Sequence, residues 1–533
     1  MKISKNVIVA LLIIGIISFG LKIYFVDFTI PAKYDDFEYA IRGIAHSQGD
    51  FSQSPKKMSG WPIFASPFFL LVDSDNFLDY LNTLRLLGMS VSTLTIIPMY
   101  GLSRKFFDQK FSIVAASLFA FEPHLNYNSS FGFSEPLYIV TIILSFYFIV
   151  NNKEKFSYIS FIFAGFAWWI RIEGFIIFIA ISIIFLFNFK KTSWHIPKYG
   201  LCILVFLIVI SPILIIRADQ YGDPFYFYYN ENLYYTTSTS ESLAPKFIDE
   251  KIPIELIPQF ILAGFYNILY LFSRILFPYL IVLLPFGIFF SLHTINQDTK
   301  LIKANWIFIL TCIGLLAFVL YLVPARRFLF FLLPFLIIFA VIPIQRVVEY
   351  GLNTFSFTEK KKKTILLGVI IGVIILSGLF NLRFEKFDVL EEREKIEFAK
   401  FLVHDLDGDI LGSSETEHVN FIKLTETSGG FKNYRIDVSK EPSMGFPYTT
   451  GNKIFLLEGE SIVDLLSYGN ENDIKFLIVK EKNPDFEYLD SVYNKEENYI
   501  FLKKIFDSNE SGYTNLKLKV FKINYEKFHE IYS

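Results

Sequence analysis

Residues 7–50 read VIVALLIIGIISFGLKIYFVDFTIPAKYDDFEYAIRGIAHSQGD, and the change of character at Asp27 sets the reading of the whole chain. Val7 to Val26 is an apolar run with one charge, Lys22, and about 20 residues is the length that crosses a bilayer core as a helix. Lys2 and Lys5 precede it in the manner of a signal peptide. The run is longer than such a hydrophobic region, however, and no small-residue cleavage pattern follows, so it reads as a retained anchor. The polar stretch behind it places an acid pair, Asp35 and Asp36, about nine residues beyond the membrane.

The same alternation fills most of the 533 residues. Further apolar runs cover about 79–103, 111–122, 135–150, 157–188, 199–217, 274–292, 305–323, 328–345 and 364–381. The run at 157–188 is too long for one span and is interrupted by Arg171 and Glu173. It therefore divides into two short helices meeting at a polar break, which brings the expectation to about eleven spans. Composition agrees: 53% of residues are hydrophobic, 62 are Phe, 30 are Tyr, and 19% are charged against about a quarter in soluble chains. Mean hydropathy is +0.42. A single soluble globule, a collagenous chain and a disordered one are excluded. Fifty basic against 52 acidic residues leave a net charge of −2 and no basic field for nucleic acid, so partners are expected to be lipidic or neutral. Cys202 and Cys312 both lie in apolar runs, which leaves neither a disulfide framework nor a cysteine metal site.

Sidedness follows from Lys and Arg, which concentrate in cytoplasmic loops. Residues 1–6, 104–110, 151–157, 188–198, 293–304 and 346–363 hold 17 basic residues in 61 positions, whereas 27–78, 123–134, 170–171, 218–258 and 323–327 hold 9 in 112. The N-terminus is expected in the cytoplasm, and the long loops and the tail outside. From about Phe384 the apolar blocks shrink and charge becomes dense. Helical spacing in LEEREKIEFAKFLVHD is followed by five strand-like runs, DILGS, KIFLLEG, IKFLIVKE, YIFLKKIF and LKLKVFKIN. The expected architecture is an α-helical polytopic membrane protein, residues 1–383, with its working loop at 27–78, followed by a soluble extracytoplasmic α/β domain at 384–533. In that domain no Gly-rich phosphate loop occurs, and His404 and His418 lack partners at ligand spacing.

Candidate chemistry gathers on the side poor in Lys and Arg. Helical spacing puts Asp36, Tyr39 and Gly43 on one stripe and Asp35, Glu38 and Arg42 on the next, so the two acids present to different sides of a helix start. They serve a substrate, or they complement the helix dipole. FEPHLNYNSSFGFSEPLYIV joins two short apolar runs and sets Glu122, His124 and Glu135 near the membrane plane, where acids line a cavity or simply open a helix. Arg171, with Glu173, and the pair Arg326 and Arg327 put positive charge on the wrong side for topology. An anionic lipid phosphate would explain them through bidentate hydrogen bonding, and snorkelling to headgroups is the alternative. The Tyr-rich loop at 218–258 fits an interfacial belt or a carbohydrate platform.

Taken in order and sidedness, YDDFEYA, SEPLYIV, IRIEGF, YGDPF and RRFLFFLLPFL resemble motifs of the GT-C membrane glycosyltransferases, among them the protein O-mannosyltransferases and the aminoarabinose transferase of lipid A. The resemblance covers roughly residues 1–350. It implies a polyprenyl-phosphate sugar donor, Asp35 as general base, and Arg327 as a ligand of the lipid phosphate. The residues singled out above, Asp36, Tyr39, His124, Glu135, Arg171, Glu173 and Arg326, are the further candidates around catalysis and substrate. Asp36 stands where the family more often has Glu, which leaves a divalent cation open as a cofactor; no nucleotide cofactor is expected. The Trp-Trp-Asp motif of oligosaccharyltransferases is absent from the tail, which argues against en bloc N-glycosylation. The expected function is inverting transfer of one sugar to an acceptor hydroxyl of a protein, lipid or glycan outside the cell membrane. The rivals are a lipid-linked glycan polymerase or ligase, and a transporter or flippase. A transporter would place its charges midway along spans in paired repeats rather than at their rim.

Overall fold

The computed structural model describes residues 4–532 except 32–33, 52–57, 152, 190–193, 225–256, 296–299, 352–356, 385–388, 413–417, 427–428, 434–452, 458 and 485. Its contacts divide the chain into two compact units. A helical unit comprises Met1–Val26, Ser54–Ala65 and Thr83–Lys386; a mixed unit comprises Asp27–Gln53, Ser66–Asn82 and Phe387–Ser533.

Among the described residues, six helical segments are long and apolar enough to cross a membrane alone: Lys5–Tyr24, Phe77–Phe106, His195–Asp219, Lys300–Tyr321, Arg326–Gly351 and Glu359–Arg383. A seventh candidate is a bent pair, Pro258–Ile275 and Leu280–His293, meeting at 119°. The run read as 157–188 divides at Arg171 into Lys155–Ile170 and Gly174–Phe189, at the polar break the sequence marks. These two, with Gln109–Ala120 and Glu135–Ile149, are only 12 to 16 residues long. At 1.5 Å per residue they rise about 18–24 Å, less than the roughly 30 Å of a hydrocarbon core.

The middle of the helical unit is the helix Leu333–Arg346, in which every residue from Leu333 to Ile344 is buried. A helix apolar all round belongs inside a bundle. Phe335 packs on Phe146 and Phe308 with ring centroids 5.0 and 4.2 Å away, and the Asn305 side-chain amide donates to its carbonyl at 3.1 Å. Elsewhere helices are joined by small polar groups. The Ser145 hydroxyl donates to the Ser160 carbonyl at 2.9 Å and the Ser160 hydroxyl to the Ser145 carbonyl at 2.7 Å.

All five strand-like runs of the tail are strands: β1 (Ile410–Gly412), β2 (Ile454–Leu456), β3 (Phe476–Lys480), β4 (Leu502–Asp507) and β5 (Leu518–Ile523). They form one sheet in the order β2-β1-β3-β5-β4, with β1 parallel to β2 and β3, and with β5 antiparallel to β3 and β4. β3 is buried nearly throughout, as a central strand should be. Two parts of the first loop, Asp27–Gln53 and the residues from Ser66, belong to this unit. Its helix Tyr34–Ser47 sets Phe37 against Phe77 and Phe421, at 6.1 and 6.0 Å, and the Gln48 side chain donates to the Lys432 carbonyl at 3.1 Å across 384 residues. Phe431 closes on Phe77 and Tyr80, and Lys432 pairs with Asp75 at 2.9 Å.

Small residues let the helices of the helical unit approach closely, the usual device where apolar lipid offers no hydrophobic driving force. A Cβ added at Gly264 would lie 1.8 Å from the Ala317 carbonyl oxygen, and one at Gly287 would lie 2.1 Å from that of Phe339. Gly264→Ala is therefore expected to force the helices Ile257–Ile275 and Lys300–Leu322 apart and cost about 1–3 kcal/mol. Gly314→Ala, with nothing within 4 Å, should be neutral or mildly stabilising. Thermal unfolding of the two variants in one detergent measures the difference, and equal midpoints would contradict the close crossing.

Candidate functional site

The acid pair opens the helix Tyr34–Ser47 of the mixed unit. The Asp35 side chain lies outside the described residues. Asp36 is fully buried, Glu38 and Arg42 are buried and joined at 3.1 Å one turn apart, and Tyr39 is half-buried. His46, one turn further on, is stacked on Phe51 at 5.0 Å, with Nδ1 3.0 Å from the Asp50 carbonyl. Burial holds its pKa down to about 4, against a weaker upward pull from that carbonyl, so it is a neutral imidazole at pH 7. A helix carrying four buried ionisable groups, Asp36, Glu38, Arg42 and His46, holds more than is needed to complement a helix dipole.

In the helical unit the other candidates gather around one short element, the 3₁₀ segment Arg326–Leu332. The Arg327 guanidinium lies over the Phe133 ring at 6.0 Å, Phe328 is 5.2 Å from the Arg171 guanidinium, Phe330 stacks on His124 at 6.4 Å, and Phe331 meets Tyr138 at 5.6 Å. Arg326 is exposed and Arg327 half-buried. Buried Glu122 caps the helix Pro123–Ser129 by accepting from the Leu125 amide at 2.6 Å.

Arg171 is the centre of this neighbourhood. One terminal amino group donates to Glu135 Oε1 at 2.6 Å, while Nε and the other donate to the two oxygens of Glu173 at 3.2 and 3.1 Å. The three side chains are 11%, 3% and 4% exposed, in the order Arg171, Glu135, Glu173. The polar break makes this possible. Arg171 is extended, with φ −147° and ψ 143°, and Gly174 starts the next helix so close that a Cβ would lie 2.2 Å from the Trp168 nitrogen. With both carboxylates on it, Arg171 holds acids in place rather than offering an open fork, which leaves Arg326 and Arg327 as the exposed and half-exposed cations of the group. Glu135 Oε2 is buried and has no hydrogen-bond partner among the described residues.

Other buried cations escape a reading by local pattern. Lys22 donates to the Ser18 hydroxyl, Arg85 to the Ser130 carbonyl at 3.1 Å, and Arg217 lies over Trp168 at 5.3 Å. Trp61, with no exposed surface, ties its segment to the hairpin through the Gly132 carbonyl at 2.7 Å. The signal for Arg85 and Arg217 was cations within or at the edge of apolar runs. In the tail, His404 and His418 each meet one carboxylate, Glu426 and Glu392, at 2.7 Å. Burial raises the Glu392 pKa, but hydrogen bonds and charge from His418 and Lys395 overcome it and hold the group near 2. Among the described residues no three His, Cys, Asp or Glu side chains converge as a metal site.

The family model described as dolichyl-phosphate-mannose-protein mannosyltransferase matches residues 77–216, about a quarter of the chain. The structure of the Archaeoglobus fulgidus oligosaccharyltransferase with zinc and sulfate superposes over 97% of this chain and 73% of its own, at 13% identity and TM-score 0.57. ArnT from Cupriavidus metallidurans, bound to undecaprenyl phosphate, matches over 98% of both chains at 11% identity and TM-score 0.52. Family match and architecture agree on the GT-C fold. No curated protein matches by sequence. The GT-C enzymes so matched are glycosyltransferases, and the segment their mannosyltransferase model covers contains the Glu122–Ser134 hairpin, Glu135, Arg171 and Glu173.

Removing the cation of this cluster should be more damaging than removing either acid. Arg171→Gln leaves two buried carboxylates facing each other, and breaking a buried pair costs about 3–5 kcal/mol. Arg171→Gln/Glu135→Gln/Glu173→Gln relieves the repulsion and should recover part of that loss. Detergent thermal unfolding reads both, and an Arg171→Gln midpoint equal to wild type would dissolve the cluster as a structural element.

Proposed function

We propose that this chain transfers one sugar from a polyprenyl-phosphate donor to an acceptor hydroxyl on the outer face of the cell membrane. The observation that carries the reading is the mannosyltransferase family match over residues 77–216, and an architecture shared over its full length with a structure holding undecaprenyl phosphate supports it. The Lys and Arg distribution supports a cytoplasmic N-terminus and an external tail. Cysteines introduced at Ser240 and Ser413 should then label from outside and one at Ser356 should not. The native Cys202 and Cys312 are buried and contribute little background. Labelling of Ser413 only after permeabilisation would overturn the orientation.

In the proposed reaction a carboxylate of the pair, Asp35, takes the hydroxyl proton as the acceptor oxygen forms its bond to the anomeric carbon. The bond from that carbon to the phosphate oxygen breaks on the opposite side, its electron pair leaves with the lipid phosphate, and the configuration inverts. Asp36, buried beside it, supports the pair. Arg327 and Arg326 stabilise charge on the departing phosphate, as guanidinium does bidentately. Glu135, fixed through Oε1 by Arg171, keeps Oε2 for a sugar hydroxyl, and His124 and Tyr39 supply apolar and polar surface for substrate. A divalent cation, where the reaction uses one, would be held through the acid pair Asp35 and Asp36.

Loss of a general base costs at least about 10²-fold in rate, so Asp35→Asn should cut kcat by that factor with donor binding intact. Arg327→Ala should lower kcat/KM for the donor by about 10²-fold, well beyond Arg326→Ala. Single-turnover transfer from a labelled polyprenyl-phosphate hexose measures both. A lethal Asp36→Asn with a mild Asp35→Asn moves the base to Asp36, whereas wild-type rates in both remove the acid pair from the reaction.

A further inference from the structure

One cavity of the helical unit lies away from the Arg171 cluster, at the end of the bundle where the basic connections collect. It is about 610 Å³, within the range of small-molecule sites, and is built where four segments meet. Lys105 comes from the end of Ile96–Phe106 and Asn151 follows Glu135–Ile149. Glu154 precedes Lys155–Ile170, Asn188 ends Gly174–Phe189, and Lys300 opens Lys300–Leu322.

The charge balance of the walls selects an anion. Glu154 is matched by Lys198 at 2.6 Å, which lies outside the lining, so the one carboxylate among the described lining residues is already neutralised. Lys105 and Lys300 enter no ion pair with the described residues. The Lys105 ammonium is instead propped on the Tyr147 ring at 4.9 Å, a contact that fixes its position without cancelling its charge. Three helices end here and two begin, so their dipoles leave only a small negative remainder of about half a charge, which the two lysines outweigh. The two asparagine amides add neutral donors suited to phosphate oxygens. The cavity is walled by helix ends, the level at which membrane helices meet lipid headgroups. Beside Asn188, Leu186 and Phe187 are 37% and 60% exposed, an apolar flank for acyl chains.

We propose that this cavity binds the phosphate of an anionic phospholipid from the leaflet at the basic end of the bundle, with Lys105 and Lys300 as its cationic ligands and Asn151 and Asn188 as neutral donors. The site is separate from the one read for sugar transfer and does not depend on that reading. Basic pockets between membrane helices recognise lipid headgroups through this combination of field and fit. The lipid source is favoured over a soluble phosphate by the apolar flank, and the two differ in what they would do in solution.

The test is thermal unfolding of the full chain in neutral detergent, titrated separately with phosphatidylglycerol, phosphatidylcholine and inorganic phosphate. Phosphatidylglycerol should raise the midpoint saturably and phosphatidylcholine should not. Lys105→Gln/Lys300→Gln should raise the half-saturating phosphatidylglycerol concentration about tenfold or more, since each lysine near an anionic headgroup strengthens its binding. Lys105→Arg/Lys300→Arg keeps the charge and should keep the response, which separates lost binding from lost folding. Lys363→Gln, a basic position at the same end that is outside the lining, should behave as wild type. Identical titrations for wild type and Lys105→Gln/Lys300→Gln would overturn the site. A full response to inorganic phosphate would overturn the lipid as its occupant.

Discussion

A guanidinium buried between two carboxylates is the interaction on which the candidate site of the helical unit depends. Charges removed from water cost several kcal/mol each unless geometry and hydrogen bonds compensate, and in an apolar bundle there is little else to compensate them. Arg171 meets that demand with three hydrogen bonds to Glu135 and Glu173. To reach both acids the chain must leave the helix at residue 171 and re-enter it at Gly174, where only a glycine fits against Trp168. The cluster also pins the first turn of Glu135–Ile149 and, through the ring of Phe328, the 3₁₀ segment that carries Arg326 and Arg327. One ion cluster thereby fixes the hairpin, the helix break and the arginine pair relative to one another.

The mixed unit solves a different problem. A polar loop leaving a span has its backbone donors and acceptors to satisfy, and residues 27–53 do so by folding with the tail rather than by packing alone. Phe37, Phe77 and Tyr80 from the front of the sequence share an aromatic cluster with Phe421 and Phe431 from the back. The ion pairs Asp75–Lys432 and Asp27–Arg393 are exposed and fix register more than stability. The helix bearing Asp35 and Asp36 is held by residues nearly 400 positions away. The tail thus has a structural part in presenting the acid pair, whatever else it does.

Much of this was legible because periodicity and local charge carry it. The five strand runs of the tail announced β1 to β5, and the Arg171–Glu173 interruption announced the break between two short helices. GT-C motifs pointed to the right architecture through their order along the chain. Pairing across distance was not legible. Arg171 and Glu135 are 36 residues apart, and nothing in either segment says that the cation placed for a phosphate is already taken by an acid. His404 and His418 lacked sequence neighbours, yet each found a carboxylate more than 20 residues away. Where hydropathy gives one apolar run at 274–292, the structure has two helices, Pro258–Ile275 and Leu280–His293, bent by 119°, because hydropathy is blind to direction. The side chain of Asp35, the favoured base, lies outside the described residues and rests on the sequence alone.

The central claim is sugar transfer from a lipid monophosphate. Purified full-length protein in proteoliposomes, given polyprenyl-phosphate hexoses labelled in the sugar and a panel of acceptor hydroxyls, tests it most directly. The account predicts label passing to an acceptor with release of one polyprenyl phosphate per sugar and with inverted anomeric configuration. Label that crosses the bilayer still attached to its lipid, or transfer that proceeds only from lipid-diphosphate donors, would contradict it.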